Sequence, residues 1–205
     1  MFLKVCGVTR LTDALHAVNH GATAVGFVFW PRSPRFVTPD AAADIVAALP
    51  STVMAVGVFV NEPVDAINAV AGQVRLSAVQ LHGDEPPAYA AALAWPVLRS
   101  VTVDGARAAC DAWTPETTLL VDAADPERRG GTGVTVDWLQ AARLARERRI
   151  VLAGGLTPDN VGEAIEAVHP YGVDVSSGVE EAPGVKDLNK VKRFLERARE
   201  AFEKP

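Results

Sequence analysis

The sequence predicts a single α/β domain, a (β/α)8 TIM barrel over residues 1–205, and three observations carry that prediction. Apolar runs suited to strands recur eight times, helical patterns separate them, and glycine-containing loops follow the seventh and eighth runs. Dividing 205 residues among eight units leaves about 25 each, enough for one strand, one helix and tight loops.

In chain order, the expected strands are residues 2–6, 24–29, 53–60, 78–81, 97–101, 118–122, 150–153 and 173–176. The first sets the character of the rest. Alternation puts Phe2, Lys4 and Cys6 on one face and Leu3 and Val5 on the other, so an amine and a thiol share a side. A sheet buried on both faces normally carries Val, Ile or Leu at such places. The polar face is therefore either a functional interior or a buried pair that satisfies itself, and Cys6 on its own reads equally as a small buried hydrophobe. By the same parity Lys4 points into the barrel, where Asp174 on the eighth strand, its neighbour by closure, is the expected partner.

Helix starts are marked by capping residues and prolines. Thr12-Asp13 opens 14–19, Thr38-Pro39-Asp40 opens 41–49, Asn61-Glu62-Pro63 opens 64–71, and Thr157-Pro158-Asp159 opens 160–168. A proline after a capping side chain suits the first helical position, where its missing N–H costs no intrahelical bond. The fifth helix, 104–113, is short and contains Gly105, and an irregular crossover is the alternative there. The last helix, 188–202, spaces Leu188, Val191, Phe194 and Leu195 along one face and packs that face on the barrel's outside. A doubly wound sheet is the competing fold. The first strand lacks a G-x-G-x-x-G turn, and Gly154-Gly155 follows the seventh strand rather than the first.

Composition narrows the function classes. With 49% hydrophobic and 22% charged residues the chain is globular, and it holds no apolar run of membrane-spanning length or secretory leader pattern. Two distant cysteines make no disulfide framework, which fits a reducing, cytoplasmic setting. A net charge of −5 argues against general nucleic-acid binding, so any anionic ligand must be held by local donors. No membrane partner is expected, and the chain is expected as a monomer or homodimer.

In such barrels functional side chains stand where strands end at the C-terminal face. Those ends carry Cys6, Phe29 with Arg35 beyond it, Asn61, His82, Asp122, Gly154-Gly155 and Ser176-Ser177-Gly178. Gly154, Gly155, Ser177 and Gly178 together describe a phosphate cradle, because glycine lets backbone N–H groups converge on an anion. Tight turns that need left-handed glycines would read the same way. Asp122 ends four residues suited to a buried strand, a setting that favours the neutral carboxyl and suits a general acid, or else it caps loop N–H groups. His82 reads as base, ligand or loop fastener. Arg35 offers a planar fork to a carboxylate, or is an ordinary solvated arginine. Gly130-Gly131-Thr132-Gly133 reads as a lid or wall that orders on binding. A metal-dependent sugar-phosphate epimerase would need several His and carboxylate ligands, yet His16, His20 and His169 fall on or beside helices and leave His82 alone. No metal is expected.

Assembled in order, these segments resemble the phosphoribosylanthranilate isomerase family of tryptophan biosynthesis. The motifs are Lys4-Val5-Cys6-Gly7-Val8-Thr9, Gly26-Phe27-Val28-Phe29 with Ser33-Pro34-Arg35, Val58-Phe59-Val60-Asn61, Val79-Gln80-Leu81-His82-Gly83-Asp84-Glu85, Leu120-Val121-Asp122, Gly130-Gly131-Thr132-Gly133, Ala153-Gly154-Gly155-Leu156 and Val175-Ser176-Ser177-Gly178-Val179-Glu180. They cover nearly the whole chain. Val136, before Asp137-Trp138, departs from a phenylalanine more usual in that family.

The resemblance implies an Amadori rearrangement without metal or cofactor, with Cys6 as general base and Asp122 as general acid. It also implies that Arg35 holds a substrate carboxylate, that His82 borders the substrate, and that the two glycine loops hold its phosphate. A related barrel isomerase acting on a phosphoribosyl imidazole would be expected to carry an aspartate where Cys6 stands. A non-catalytic barrel that binds a phosphorylated metabolite is the alternative outside enzymes, and it predicts a degraded acid–base pair. An unperturbed thiol is only a few per cent ionised at pH 7, so Lys4 is the expected source of a lowered Cys6 pKa.

Overall fold

The computed structural model describes residues 1–122 and 137–204. Eight parallel strands close into a barrel in sequence order: β1 (Phe2–Val5), β2 (Ala24–Val28), β3 (Met54–Phe59), β4 (Ala78–Leu81), β5 (Val97–Thr102), β6 (Thr118–Asp122), β7 (Ile150–Leu152) and β8 (Gly172–Val175). Closure is made by β8 pairing with β1, where Lys4 stands opposite Asp174. Every expected strand is present, with ends within two residues of those expected. Cys6, Phe29 and Ala153 lie just past strand ends, yet their N–H groups still reach Val175, Val58 and Val121 carbonyls at 2.8–2.9 Å. Their positions are thus held by the ladders they leave.

The helices are α1 (Leu11–Asn19), α2 (Pro39–Ala47), α3 (Val64–Val74), α4 (Ala88–Ala92), α5 (Ala106–Ala112), α6 (Trp138–Glu147), α7 (Val161–Val168) and α8 (Leu188–Glu203). Only one of the expected caps forms: Thr38 Oγ1 accepts from Ala41 N at 3.3 Å, and Pro39 is the first helical residue. Elsewhere the candidate caps bond to loops instead. Asp13, inside α1, accepts from Arg10 and from the Lys186 N–H, while Asn61 Oδ1 accepts from Asp84 N. Thr157 joins Asn160 in a turn before α7. Asp137 and Asp187, which carry no such sequence mark, cap α6 and α8 through pairs of N–H groups. The expected fifth helix forms as α5, so the irregular alternative does not.

Two apolar cores follow from strand alternation. Phe2, Val56, Leu98, Leu120 and Val151 fill the barrel interior, while Leu3, Val5, Phe27, Leu119 and Val121 face the helices. Helix α8 contributes Val191, Phe194 and Leu195 to the outer core and packs between α7 and α1; Leu188, expected on that face, is exposed. A feature without a sequence counterpart follows β8: a 3-10 turn (Ser177–Val179), then an antiparallel hairpin of β9 (Glu180–Ala182) and β10 (Val185–Lys186).

The interior also holds polar groups. Lys4 Nζ meets Asp174 Oδ2 at 2.9 Å, with both side chains buried, so the expected partnership forms. Burial works against the ammonium, but its acidic neighbours, Asp174 foremost, outweigh it and raise the Lys4 pKa, keeping Lys4 protonated. Removing one partner of a buried pair leaves an uncompensated charge, so Asp174→Ala is expected to lower unfolding free energy by about 3–5 kcal/mol, whereas an apolar replacement of both partners recovers most of it. Urea denaturation of both variants checks this, and a wild-type midpoint for Asp174→Ala would remove the pair's structural role.

Candidate active site

The C-terminal rim of the barrel brings the expected residues into two groups. The first spans β7, β8, β1 and β2. Cys6 ends the ladder of β1 and is buried, and its sulfur packs over Gly26 of β2, where a Cβ would lie 2.7 Å from Sγ. Lys4, two residues back on the same inner face, brings its charge near the thiol. Arg35 enters from the loop after β2 and lies over Gly7, whose Cβ would stand 2.6 Å from Arg35 Cδ. Its fork is already engaged: Nε and Nη2 donate to Glu180 Oε1 and Oε2 at 2.8 and 2.7 Å. Arg35 is therefore not a solvated arginine, and its Nη1 edge is the part left to meet a ligand.

The glycine loops adjoin this group. Gly154 and Gly155 take φ of +77° and +66°, so these turns do require glycine. Gly178 is required for a different reason, because a Cβ there would stand 1.9 Å from the Leu156 carbonyl oxygen. That contact joins the loop after β8 to the loop after β7. Ser177 and Gly178 lie in the 3-10 turn, half-buried like Gly154 and Gly155, which presents them at one rim. The turn reading of the sequence therefore holds for Gly154 and Gly155.

The second group stands on β4, β5 and β6. Asp122 ends β6 on the inner face, and its Oδ2 lies 3.9 Å from His82 Nε2. Gln80 Nε2 donates to His82 Nδ1 at 3.0 Å, and Ser100 Oγ lies 3.4 Å from Nε2. Gln80 and Ser100 thus hold the ring with its Nε2 edge toward Asp122. His82 is thereby a neighbour of the candidate acid. Asn61 is a fastener: its N–H donates to Glu85 Oε1 at 2.7 Å and its side chain bonds Asp84. The 130–133 glycine run and Val136 lie outside the described residues.

Electrostatics at Cys6 differ from the sequence expectation. Burial is the largest influence and raises the thiol pKa; Lys4 and Lys186 pull it down, Asp174 adds to the rise, and the net shift is upward. Lys4 does act in the expected direction. Its charge, however, is matched by Asp174 at 2.9 Å, so the sulfur feels an ion pair rather than a bare ammonium. The resting group is a thiol.

Sequence reasoning passed over Glu180 and Lys186. Lys186 is fully buried, and its Nζ donates to Glu180 Oε1 at 2.9 Å and to the Ser176 carbonyl at 3.2 Å. A lysine in a loop-like segment gave no signal beyond its charge. Asp174 Oδ1 is a buried acceptor without a hydrogen-bond partner among the described residues. Among those residues no group of three or more His, Cys, Asp or Glu is arranged to hold a metal, and no helix is long and apolar enough to cross a membrane.

The upward shift generates a test. In a Cys110→Ser background, the rate of Cys6 alkylation by iodoacetamide is expected to rise with pH through an inflection above the ordinary thiol value of about 8.5. Lys4→Met removes the largest downward influence and leaves Asp174 uncompensated, so the inflection moves higher still. An inflection near pH 7, or one indifferent to Lys4→Met, would refute this account of the thiol.

Comparison with known proteins places this geometry in context. Residues 3–197 match the sequence model of the N-(5'-phosphoribosyl)anthranilate (PRA) isomerase family. An N-(5'-phosphoribosyl)anthranilate isomerase of Geobacter metallireducens is 48% identical over 198 residues, covering 96% of this chain and 98% of the relative. The crystal structure of the Thermotoga maritima isomerase superposes with a TM-score of 0.90 at 43% identity, covering 98% of this chain and 99% of that one. A second isomerase structure, in complex with reduced 1-(o-carboxyphenylamino)-1-deoxyribulose 5-phosphate, gives 0.86 at 42% identity with the same coverage. With the family matched along nearly all of its length and the barrel shared with these structures, this chain belongs to the N-(5'-phosphoribosyl)anthranilate isomerase family.

Proposed function

We propose that this chain converts N-(5'-phosphoribosyl)anthranilate to 1-(o-carboxyphenylamino)-1-deoxyribulose 5-phosphate, an Amadori rearrangement of tryptophan biosynthesis, using Asp122 as general acid and Cys6 as general base. The observation that carries this reading, beyond family membership, is that both groups end strands on the inner face of one barrel rim. They stand three strands apart around the closed sheet, on either side of the rim segment that bears the glycine loops.

The chemistry follows the substrate's bonds. Asp122 gives its proton to the furanose ring oxygen as the C1'–O bond breaks, and the anilino nitrogen lone pair forms the C1'=N iminium. Cys6, ionised for this step, removes the proton on C2', and the C–H pair becomes the C1'=C2' bond while nitrogen regains its lone pair. The enolamine then becomes the ketone. Asp122 has lost one proton and Cys6 has gained one, and exchange with water restores the pair. An iminium carbon next to the acidic C–H brings positive charge toward the sulfur, an influence that opposes the burial raising the thiol.

Binding is the work of the remaining residues. Gly154, Gly155, Ser177 and Gly178 hold the phosphate through backbone and hydroxyl donors, and Arg35 meets the anthranilate carboxylate with its unfilled Nη1 edge. Pinning both ends leaves the reacting carbons between acid and base. His82 borders the substrate and keeps its Nε2 edge toward Asp122. Every step is a proton transfer, so the reading needs neither metal nor cofactor.

Cys6→Ala and Asp122→Asn are each expected to lower kcat by roughly 10²–10⁴-fold with folding retained, measured by the loss of substrate fluorescence when phosphoribosylanthranilate is generated in situ. Wild-type turnover in either variant would remove the assigned role. Activity is also expected to survive exhaustive chelation, and its loss, restored by added metal, would revive the epimerase-like alternative.

A further inference from the structure

We propose that Glu180 is a positioning residue for the carboxylate anchor: it grips Arg35 from the end of the phosphate-binding turn, and Lys186 holds Glu180 in place. The proposal rests on the reading of Arg35 as that anchor. Its geometric content is separate, because it concerns what fixes the distance and angle between the two anion-holding parts of the site.

The grip is bidentate. Arg35 Nε and Nη2 donate in parallel to the two Glu180 oxygens at 2.8 and 2.7 Å, an arrangement that fixes the guanidinium plane as well as its place. Arg35 itself sits in a loop bordered by Pro34 and the exposed Phe36, with no helix or strand of its own to orient it. Glu180, in contrast, is buried and follows directly on the turn Ser177–Val179. The carboxylate anchor is therefore referenced to the phosphate loop through three residues of one short turn, although Arg35 and Glu180 are 145 residues apart in sequence.

Lys186 supplies the second hold. Its buried ammonium donates to Glu180 Oε1 at 2.9 Å and to the Ser176 carbonyl at 3.2 Å, tying the carboxylate to the end of β8. The Gly184 N–H donates to the same Oε1 at 3.3 Å. The hairpin that carries Lys186 is itself fastened: the Lys186 N–H donates to Asp13, Thr9 Oγ1 donates to the Gly184 carbonyl, and the Asp187 N–H donates to Val179. Burial works to neutralise Glu180, but Arg35 and Lys186 outweigh it and hold its pKa below the usual carboxylate range. The grip is accordingly ionic throughout the neutral range. Arg35 and Lys186 thus both bear on this one carboxylate, although burial lowers the Lys186 pKa.

A purely structural triad would support the loops without regard to the ligand's carboxylate, and a mutant cycle separates the two roles. Wild type, Arg35→Ala, Glu180→Gln and the double variant are assayed for KM and kcat. Dissociation constants are measured for reduced 1-(o-carboxyphenylamino)-1-deoxyribulose 5-phosphate, which has both anionic ends, and for inorganic phosphate, which has one. Glu180→Gln is expected to weaken the two-ended ligand about ten-fold and raise KM by a similar factor, while phosphate binding changes less than about two-fold; in the Arg35→Ala background Glu180→Gln adds less than about two-fold.

Equal losses for both ligands, additive losses in the double variant, or an unchanged constant for the two-ended ligand would overturn the proposal. If Arg35→Ala leaves KM unchanged, the anchor reading falls and the proposal falls with it. If Arg35→Ala raises KM and Glu180→Gln does not, only the proposal falls. Should Glu180→Gln fail to fold, Glu180→Asp keeps a charge for Lys186 but shortens the reach to Arg35, and the same ligand split is expected of it.

Discussion

The barrel depends on the seam where its first strand meets its last. There Lys4 and Asp174 face each other in register, 2.9 Å apart and out of solvent. The cost of burying either charge alone far exceeds what backbone pairing at one seam returns, so the two strands must close in this register for the charges to be compensated. A slip of one residue in either strand would turn that strand's charge to the outer face, away from its partner and against the apolar layer that holds Leu3, Val5, Val173 and Val175. Cys6 is the next inward residue on the same strand. Its height above the pair, its sulfur over Gly26 and its nearness to the Lys4 charge all follow from that register.

From this seam the rim is built outward as a chain of ionic contacts. Lys186 bonds the carbonyl of Ser176, one residue past β8, and holds Glu180; Glu180 holds Arg35; and Arg35 lies on Gly7, one residue past Cys6. The contacts thus run from the end of the last strand back to the end of the first. This explains how a chain of net charge −5 suits a ligand with two anionic ends. The overall charge acts weakly through water, whereas the donors that matter are local, partly desolvated and held in fixed directions.

Strands were legible because each is an apolar run bounded by turn residues, and a closed parallel barrel rewards that pattern with burial on both faces. Parity alone sufficed to pair Lys4 with Asp174, since closure makes β1 and β8 neighbours. Helix caps were less legible: Asp13 and Asn61 look like caps in isolation, but tertiary partners at Lys186 and Asp84 take their oxygens. The β9–β10 hairpin was missed because Glu180-Glu181-Ala182-Pro183-Gly184-Val185-Lys186 has neither alternation nor strand propensity; pairing with itself and fastening to Asp13 hold it. Arg35 could be picked out as a fork, while the carboxylate that fills it, 145 residues away, could not. The sign of the Cys6 shift was misjudged for a related reason. Adjacency shows Lys4 near the thiol but does not weigh its charge against Asp174 and burial.

That last point bears on why a thiol stands at this position. The interior already pairs one ammonium with one carboxylate, and a second carboxylate two residues above Lys4 would compete with Asp174 for the same cation. Two anions sharing one cation in a desolvated site cannot both stay ionised, so one would take up a proton and lose its use as a base. A neutral thiol adds no charge to the resting pair, and its ordinary pKa lies closer to neutrality than that of any other uncharged donor suited to the space left by Gly26. Burial holds the sulfur protonated, and on the proposed reading it is the reaction itself that brings positive charge beside it. If Cys6 is the base proposed above, the same buried pair that closes the barrel also sets which kind of base its first strand can present.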